Sequence, residues 1–561
     1  MEAVSAPVIR ELSKHATTGS PDARRWRFFS AIVALIAVIP LLAVIYVAFF
    51  PTENIWPHLW STVLPRYLEA TFFLMLGVGL LATFFGVTSA WLVAFYRFPG
   101  RKLFSWALLL PFAVPAYVIA YVYTDLLEYS GPVQALLREW FGWRTPRDYW
   151  FPQIRSLGGA IIMFSLVLYP YIYLTCRAAL MEQSDSLLMA SRSLGAGALR
   201  TFYRIVLPII RPALAVGLAL VLMETLNDFG TVSFFAVQTL TAGLYDTWLN
   251  LGNVGGAAQI AALMVGIALA LLYLERASRH KSKSYQSGGR TRPLTPTQLT
   301  GKSGYIASAF CFLLVFFGFL VPASVLGYYS IEYFDVTWNS EFFRLAMNSL
   351  QLATIAAALL VIVGALLAYS QRIAPSALNK SMARLASVGY AMPGAVLAIG
   401  VIVPLGALDN GIDGVARDYF NTSTGLIFSG TIAAIIYAYS ARFLAISLGS
   451  AESGLGRITP SMDQAARTLG HSSLSILTKV HLPLLSRSML TAAIIVFVDV
   501  LKELPATLIL RPFNFETLAT YLYQYASDEL LEHSALAAMF IVATGIIPVI
   551  LLNRASTAKQ Y

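Results

Sequence analysis

Four acidic residues occupy repeated positions in a mostly apolar sequence. Glu224 and Asp228 are followed, 275 residues later, by Asp499 and Glu503. The acids of each pair are four residues apart, so they share one helical face wherever the helix continues through both. A carboxylate that faces lipid costs about 3 kcal/mol or more, which favours an interior or water-facing position. Because oxygen donors suit hard cations, one hypothesis is a carboxylate-lined route for a cation.

The neighbours of these acids keep other interpretations open. Asn227 adjoins Asp228 and Lys502 adjoins Glu503, so the clusters could instead be ion pairs at helix ends, gate contacts or solvated loop edges. An ion that crosses a membrane must also leave each site again. The sequence therefore predicts transient contacts with a cation and no fixed metal site.

The composition indicates which elements must position the acids. Apolar residues make up 57% of the 561 residues and charged residues 12%, against roughly 45–50% and about 25% in soluble domains. The apolar residues form runs of about 20, the length of a helix that crosses a bilayer. Twelve runs are found, at 28–50, 70–95, 103–125, 157–180, 205–226, 255–275, 305–331, 347–369, 385–408, 425–448, 481–501 and 534–552. We expect an all-α integral membrane protein, with its third run kinked by Pro111 and Pro115 and its ninth by Pro393.

The basic residues predict the orientation of the chain. Most Lys and Arg fall on the side of the membrane that holds the N-terminus, and most acids fall on the other side. Lys and Arg favour the cytoplasmic side, so both termini, tails 1–27 and 553–561, are expected there. The net charge of +10 does not indicate nucleic-acid binding, because the basic residues are spread over short loops and no soluble domain presents them.

The chain is a tandem repeat. Residues 189–208 and 464–483 share seven identities at an offset of 275. Six spanning helices in each half make the two repeats parallel. The predicted halves are 28–275 and 304–552, joined by a basic cytoplasmic linker, 276–303, whose Gly, Ser, Thr and Pro content is typical of a flexible segment.

The repeated segments lie in two loops, near 182–204 and 452–479, that have the composition of docking elements. Small residues allow close approach to a partner, and the following glycine allows a turn with positive φ. These residues are Ala190, Ser191 and Gly195 in the first loop and Ala465, Ala466 and Gly470 in the second. Pro208 and Pro483 then suit the first turn of the next helix.

This pattern resembles the "EAA" loop of ABC-importer permeases, which forms the coupling helix that docks on the ATPase subunit. The leading Glu of that motif is replaced by Met189 and Gln464. The resemblance implies the type I importer fold, twelve transmembrane helices in two parallel repeats, in a bacterial inner membrane. It also implies two copies of an ATPase subunit and a periplasmic substrate-binding protein as partners. The chain has no GxxxxGK[ST] loop, so we expect no enzymatic site and no cofactor in it; ATP and Mg²⁺ would be bound by the ATPase.

A narrower resemblance concerns the segments after the fifth helix of each half. Residues 224–231 and 237–245, and residues 502–508, 510–513 and 515–519, are similar to those of ferric-iron importer permeases. The resemblance implies Fe(III) as cargo, with the four acids along its route. Fused permeases for thiamine or phosphonates share parts of these segments and remain alternatives, as does another small solute. A stand-alone secondary transporter is the alternative from a different class.

Overall fold

A computed structural model describes residues 21–181, 197–280 and 296–557 of the chain. Eleven helices are long and apolar enough to cross a membrane, and a helix pair bent by 89°, Arg101–Ala113 with Ala116–Phe141, makes up to twelve. Helices satisfy their own backbone hydrogen bonds, which lipid cannot do. Within the described ranges, strand structure is limited to two paired dipeptides. The predicted all-α membrane fold is confirmed.

The chain forms two compact units that cut across the sequence repeats. The first unit contains the chain up to Thr52 and Ala346–Thr517; the second contains Glu53–Leu345 and Leu518 onwards. The first helix of the sequence thus belongs to the unit built from the second repeat. The domain boundaries predicted from sequence describe the duplication, and they stay a prediction.

The helices of the first unit, including α16, whose first turn lies in the second, are as follows. They are α1 (Pro21–Phe49), α16 (Ser340–Ile373), α17 (Ala377–Ala386), α18 (Gly394–Phe420), α19 (Ile432–Leu455), α20 (Pro460–Thr468), α21 (Ser473–Ile476), α22 (Leu482–Leu501) and α23 (Pro505–Leu510). Its core is rich in alanine from α16, α18 and α19. Small side chains let helices approach closely where the hydrophobic effect does not drive them together.

The second unit holds the remaining elements. They are α2 (Trp56–Thr62), α3 (Leu64–Phe95), β1 (Tyr96–Arg97), α4 (Arg101–Ala107), α5 (Ala116–Leu127), α6 (Pro132–Phe141), α7 (Leu157–Met181), α8 (Ala198–Thr201), α9 (Leu207–Asn227), α10 (Gly230–Phe234), α11 (Leu240–Tyr245), α12 (Val254–His280), β2 (Thr297–Gln298), α13 (Lys302–Val315), α14 (Val321–Glu332), α15 (Phe334–Thr337), α24 (Leu518–Ser527) and α25 (Leu531–Thr557). Helices α3, α7 and α9 pack side by side at its centre.

Proline interrupts the third spanning segment of each repeat, as expected. A 3₁₀ turn, Leu110–Ala113 or Val388–Ala391, precedes each break, and Pro115 or Pro393 then caps the next helix. Proline fixes its own φ and disfavours helical backbone in the residue before it, so a helix restarts there.

Two predicted spans are placed wrongly. The ninth and tenth runs, 385–408 and 425–448, correspond to helices at Gly394–Phe420 and Ile432–Leu455. The cause is the loop between them, which folds back onto α18. The buried Asp409 carboxylate accepts hydrogen bonds from the backbone N–H groups of Ile427, Phe428 and Ser429. An acid inside an apolar run thus extends one helix and delays the next.

Part of the predicted linker has regular structure. Helix α12 runs to His280, α13 begins at Lys302, and Thr297–Gln298 pairs in parallel with Tyr96–Arg97. Residues 281–295 lie outside the described ranges.

A π-helical turn precedes the fifth spanning helix in each repeat. The turns are Phe202–Val206 and Leu477–His481, at the same repeat offset. The N–H of Leu207 donates to the carbonyl of Phe202, and that of Leu482 to Leu477. Pro208 and Pro483 follow, and because proline has no N–H it breaks the regular i to i−4 ladder at this point. The predicted docking loops therefore enter the membrane helices through matched irregular turns.

Candidate functional site

The second predicted docking loop contains a short helix that ends in a glycine turn. Helix α20 begins at Pro460 and ends at Thr468, and Gly470 follows with a φ of +81°. The N–H of His471 donates to the carbonyl of Ala466 at 3.1 Å, which closes the helix end. A side chain at position 470 would meet no atom within 4 Å, so glycine is needed for its backbone conformation and not for space.

Apolar groups are exposed around this helix. Leu469 is 78% exposed and Leu474 61%, while Ala465 is exposed and Ala466 is buried. Clustered apolar exposure outside the membrane helices is typical of an interaction surface. In the first loop, Ala190, Ser191 and Gly195 lie outside the described residues.

The four acids do not form the face-sharing pairs expected for continuous helices. Helix α9 ends at Asn227 and α22 at Leu501, so the second acid of each pair lies beyond its helix. Asp228 accepts a hydrogen bond from the N–H of Thr231 at 2.7 Å, in the first turn of α10. These acids serve the next short helix because helix N-termini leave backbone donors unsatisfied.

Glu503 has the most complete set of partners. Its Oε1 accepts from Arg442 Nη1 and from the N–H of Ala506, both at 3.0 Å. Its Oε2 accepts from the N–H and the hydroxyl of Thr507, at 3.1 and 2.8 Å. Glu503 is 5% exposed and Arg442 8%, so this is a buried ion pair that also caps α23.

A glycine makes room for this pair. A Cβ on Gly394, at the start of α18, would lie 2.7 Å from both Arg442 Nη1 and Glu503 Oε1. Neither atom belongs to a side chain that can swing away without losing the ion pair. Gly394 is therefore part of the site.

The first acid of each pair remains on its helix. Asp499 lies 3.0 Å from Lys502 Nζ, and both side chains are about one fifth exposed, at 21% and 23%. Glu224 is partly buried on α9. The alternative in which these clusters make ion pairs at helix ends thus describes Asp499 and Glu503 in this conformation.

A cleft of about 400 Å³ lies beside the helix that Asp228 caps. Phe229, stacked on Tyr245, forms one wall, and Tyr523 another. Oxygen-bearing side chains line the rest, namely Ser233, Gln238, Asp246 and Asn250. No Lys, Arg or His is among its described lining residues.

Two residues of these sites were missed by sequence reasoning. Arg442 stands alone in the apolar run of α19, and a lone charge in such a run is a signal of function or pairing. Asp246 gave no signal beyond its charge. Across the described part of the chain, no group of three or more His, Cys, Asp or Glu side chains could hold a metal ion.

Comparison with known proteins adds to this geometry. The family described as "Binding-protein-dependent transport system inner membrane component" matches twice, at residues 82–279 and 361–560. The Fe(3+)-transport system permease protein FbpB 2 of Haemophilus influenzae is 26% identical over 545 residues, 95% of this chain and 99% of that protein. The ferric transport system permease protein FbpB of Actinobacillus pleuropneumoniae is 25% identical over 532 residues, 88% and 72% of the two chains. The molybdenum transport system permease protein ModB of Escherichia coli K12 is 29% identical over 208 residues, 35% of this chain and 87% of that protein.

Proposed function

The chain belongs to the family of binding-protein-dependent transport system inner membrane components, and from this premise we propose that it imports ferric iron. As a member, it is a multi-pass permease component of an ABC transport system that works with a binding protein and an ATPase. In the proposal, Fe(III) arrives from a periplasmic binding protein and is released in the cytoplasm. Both termini then lie in the cytoplasm, where two copies of the ATPase bind ATP and Mg²⁺.

The oxygen-lined cleft beside Asp228 carries the proposal for a cationic cargo. Its charged group is the Asp246 carboxylate, and amide and hydroxyl oxygens surround it. An oxyanion would instead require cationic groups or clustered N–H donors, and the described lining holds no basic side chain. The relatives that match most of this chain carry ferric names, whereas ModB matches 35% of it.

The four acids are proposed as transient contacts along the route. Glu224, Asp228 and Asp499 keep some exposure, so a passing cation can reach them. Glu503 is engaged by Arg442 in this conformation, and a contact with iron would require that pair to open. Few oxygen ligands at each stage allow the ion to move on.

The exposed end of α20 is proposed as a docking site for the ATPase. Ala465, Ala466 and Gly470 shape this loop, and we assign the same role to Ala190, Ser191 and Gly195. Gly470→Asp or Gly195→Asp should abolish uptake while membrane abundance stays at the parent level. Asp at position 470 would be strained because non-glycine residues rarely adopt a φ near +80°.

The cargo test uses the permease co-expressed with its ATPase and binding protein. In inverted-control and right-side-out vesicles, uptake of radioactive iron, sulfate and molybdate is compared with and without ATP. ATP-dependent uptake of iron alone supports the proposal; uptake of molybdate or sulfate in place of iron would overturn it. Uptake driven by an ion gradient without the ATPase would indicate a stand-alone carrier.

A double amide variant tests the acids. Glu224→Gln with Asp499→Asn keeps side-chain shape and removes charge, so iron uptake should fall by about tenfold or more, while ATPase association and basal hydrolysis persist. The matched control is Asp528→Asn, an exposed acid outside the proposed route. Equal uptake in the double variant and the control, at equal membrane abundance, would remove Glu224 and Asp499 from the route.

A further inference from the structure

A buried ion pair joins the proposed ATPase-docking helix to a membrane helix. We propose that Arg372 and Asp463, the α20 clamp, hold α20 in the orientation that passes ATPase movement into the membrane helices. The inference rests on the proposed function in that it names positioning residues for the same docking site.

Arg372 contacts three consecutive segments at the end of α16. Its Nε donates to Asp463 Oδ2 at 2.6 Å, which links α16 to α20. One terminal nitrogen donates to the carbonyl of Leu455, the last residue of α19, at 2.8 Å, and the other reaches the carbonyl of Thr459 at 3.2 Å. The fixed fork of a guanidinium suits such a three-way contact, which the single ammonium of lysine cannot reproduce.

The clamp is shielded from solvent. The side chains of Arg372 and Asp463 are 16% and 15% exposed, although most of α20 is exposed. Charge-assisted hydrogen bonds are roughly twice as strong as neutral ones, and low exposure limits screening by salt. A short helix with one buried residue, Ala466, is thus fixed mainly by this one acid.

A second set of contacts extends the clamp to the start of α22. His481, in the π-helical turn, is fully buried, and its Nε2 lies 2.9 Å from Asp463 Oδ1, at ion-pair distance but not aligned as a hydrogen bond. Tyr369, one turn before Arg372, packs against His481 and donates its hydroxyl to the carbonyl of Ser473 at 2.6 Å. Trp26 of α1 packs edge-on against the same ring, with centroids 5.2 Å apart.

The clamp is specific to the second repeat. At the repeat offset of 275, Leu188 and Val206 stand where the second repeat has Asp463 and His481. The first docking loop therefore lacks the acid and the imidazole. Any movement that an ATPase imposes on α20 is delivered through Arg372 to α16 and α19, and at the π-helical turn to α22.

The orientation of α20 can be measured on the permease by itself. The only cysteines, Cys176 and Cys311, are buried, so a spin label at Thr468→Cys, on the exposed last residue of α20, reports selectively. Arg372→Gln and Asp463→Asn should each sharpen the electron paramagnetic resonance lines, because the helix is released. Arg372→Lys should give an intermediate spectrum, since it keeps the charge and loses the fork.

The matched control lies on the same helix. Arg344→Gln removes an exposed arginine from the other end of α16, where it lies 3.4 Å from Glu341. Its spectrum should equal that of the parent. Unchanged spectra in Arg372→Gln and Asp463→Asn, at parental abundance in the membrane, would overturn the clamp.

The coupling role is read from transport per ATP. In vesicles with ATPase and binding protein, Arg372→Gln and Asp463→Asn should keep ATPase co-purification and lower iron taken up per ATP hydrolysed by about tenfold, the effect of losing one charged hydrogen bond. Arg372→Lys should recover part of the loss. Released spectra with parental uptake per ATP would overturn the positioning role.

Failure of the proposed function would look different. The spectra require neither ATPase nor cargo, so the clamp is tested even where the parent transports no iron. A parent that does not bind an ATPase would overturn the docking assignment and the coupling role together, while the spectra would still decide whether the clamp holds α20.

Discussion

Asp228 in the first repeat and Glu503 in the second lie 275 residues apart, and each accepts a hydrogen bond from the short helix that follows it. Their surroundings differ. Glu503 is paired with Arg442 and is almost fully buried, whereas Asp228 is half-buried and makes no ion pair among the described residues.

Two further positions change together with this pair. Helices α7 and α19 begin at the repeat offset, and Val167 stands where the second repeat has Arg442. Ala116, the first residue of α5, corresponds to Gly394, the first residue of α18, and each follows a capping proline. The repeat with the arginine therefore has the glycine that leaves space for it, and the repeat without it has a larger residue.

The difference separates two uses of equivalent acids. In the second repeat the charge is neutralised inside the protein, which fixes the turn after α22. In the first repeat the acid keeps its charge beside an oxygen-lined cleft. We expect substitutions in the second set to affect stability, and those in the first set to affect transport.

The largest effect is expected from Arg442→Met. Glu503 would be left buried without a counter-ion, which typically costs about 3–5 kcal/mol. The midpoint of thermal unfolding of the detergent-purified protein, and its membrane abundance, measure the loss. Adding Glu503→Gln should restore most of the stability. A single variant as stable as the parent would show that the pair is not important for the fold.

Gly394→Ala should destabilise the protein by about 1–3 kcal/mol, because the new methyl group overlaps both charged atoms of the pair. The reverse change in the first repeat, Ala116→Gly, is the matched control and should cost at most about 1 kcal/mol. Equal losses at the two positions in thermal unfolding would contradict the proposed link between Gly394 and Arg442.

Local patterns explain what the sequence predicted. Runs of apolar residues identify spanning helices because each run alone decides whether it can enter lipid, and the glycine turn at 470 follows from one residue's backbone preference. The displaced ninth and tenth helices show the limit of this reasoning. Asp409 and the loop that it holds are about 20 residues apart, so no local pattern indicates where α18 ends.

Long-range partners explain what was missed. The repeat offset identified Glu503 as equivalent to Asp228, yet Arg442 is 61 residues away and Arg372 is 91 residues from Asp463. A sequence lists charges without showing which pairs meet, so the same acids supported a route, a gate or an ion pair until packing was known.

Asp228 should behave as a cap with an additional role in transport. Asp228→Ala removes the acceptor for Thr231 and should cost about 1 kcal/mol, whereas Asp228→Asn keeps an acceptor and should cost less. Both variants should lower iron uptake, because both remove the charge. The comparison needs unfolding midpoints and uptake at equal abundance. Parental uptake in Asp228→Asn would limit this residue to capping.

The smallest effect on stability is expected from Asp499→Asn. Its pair with Lys502 spans three residues and is partly exposed, so the loss should be about 0.5 kcal/mol or less and should shrink in high salt. Unfolding midpoints at low and high ionic strength test this. If the loss is as small as expected, reduced uptake in the Glu224→Gln and Asp499→Asn double variant cannot be attributed to Asp499 destabilising the fold. A loss as large as that of Arg442→Met would instead place Asp499 with Glu503 as a structural acid, and the carboxylate route would then depend on Glu224 and Asp228.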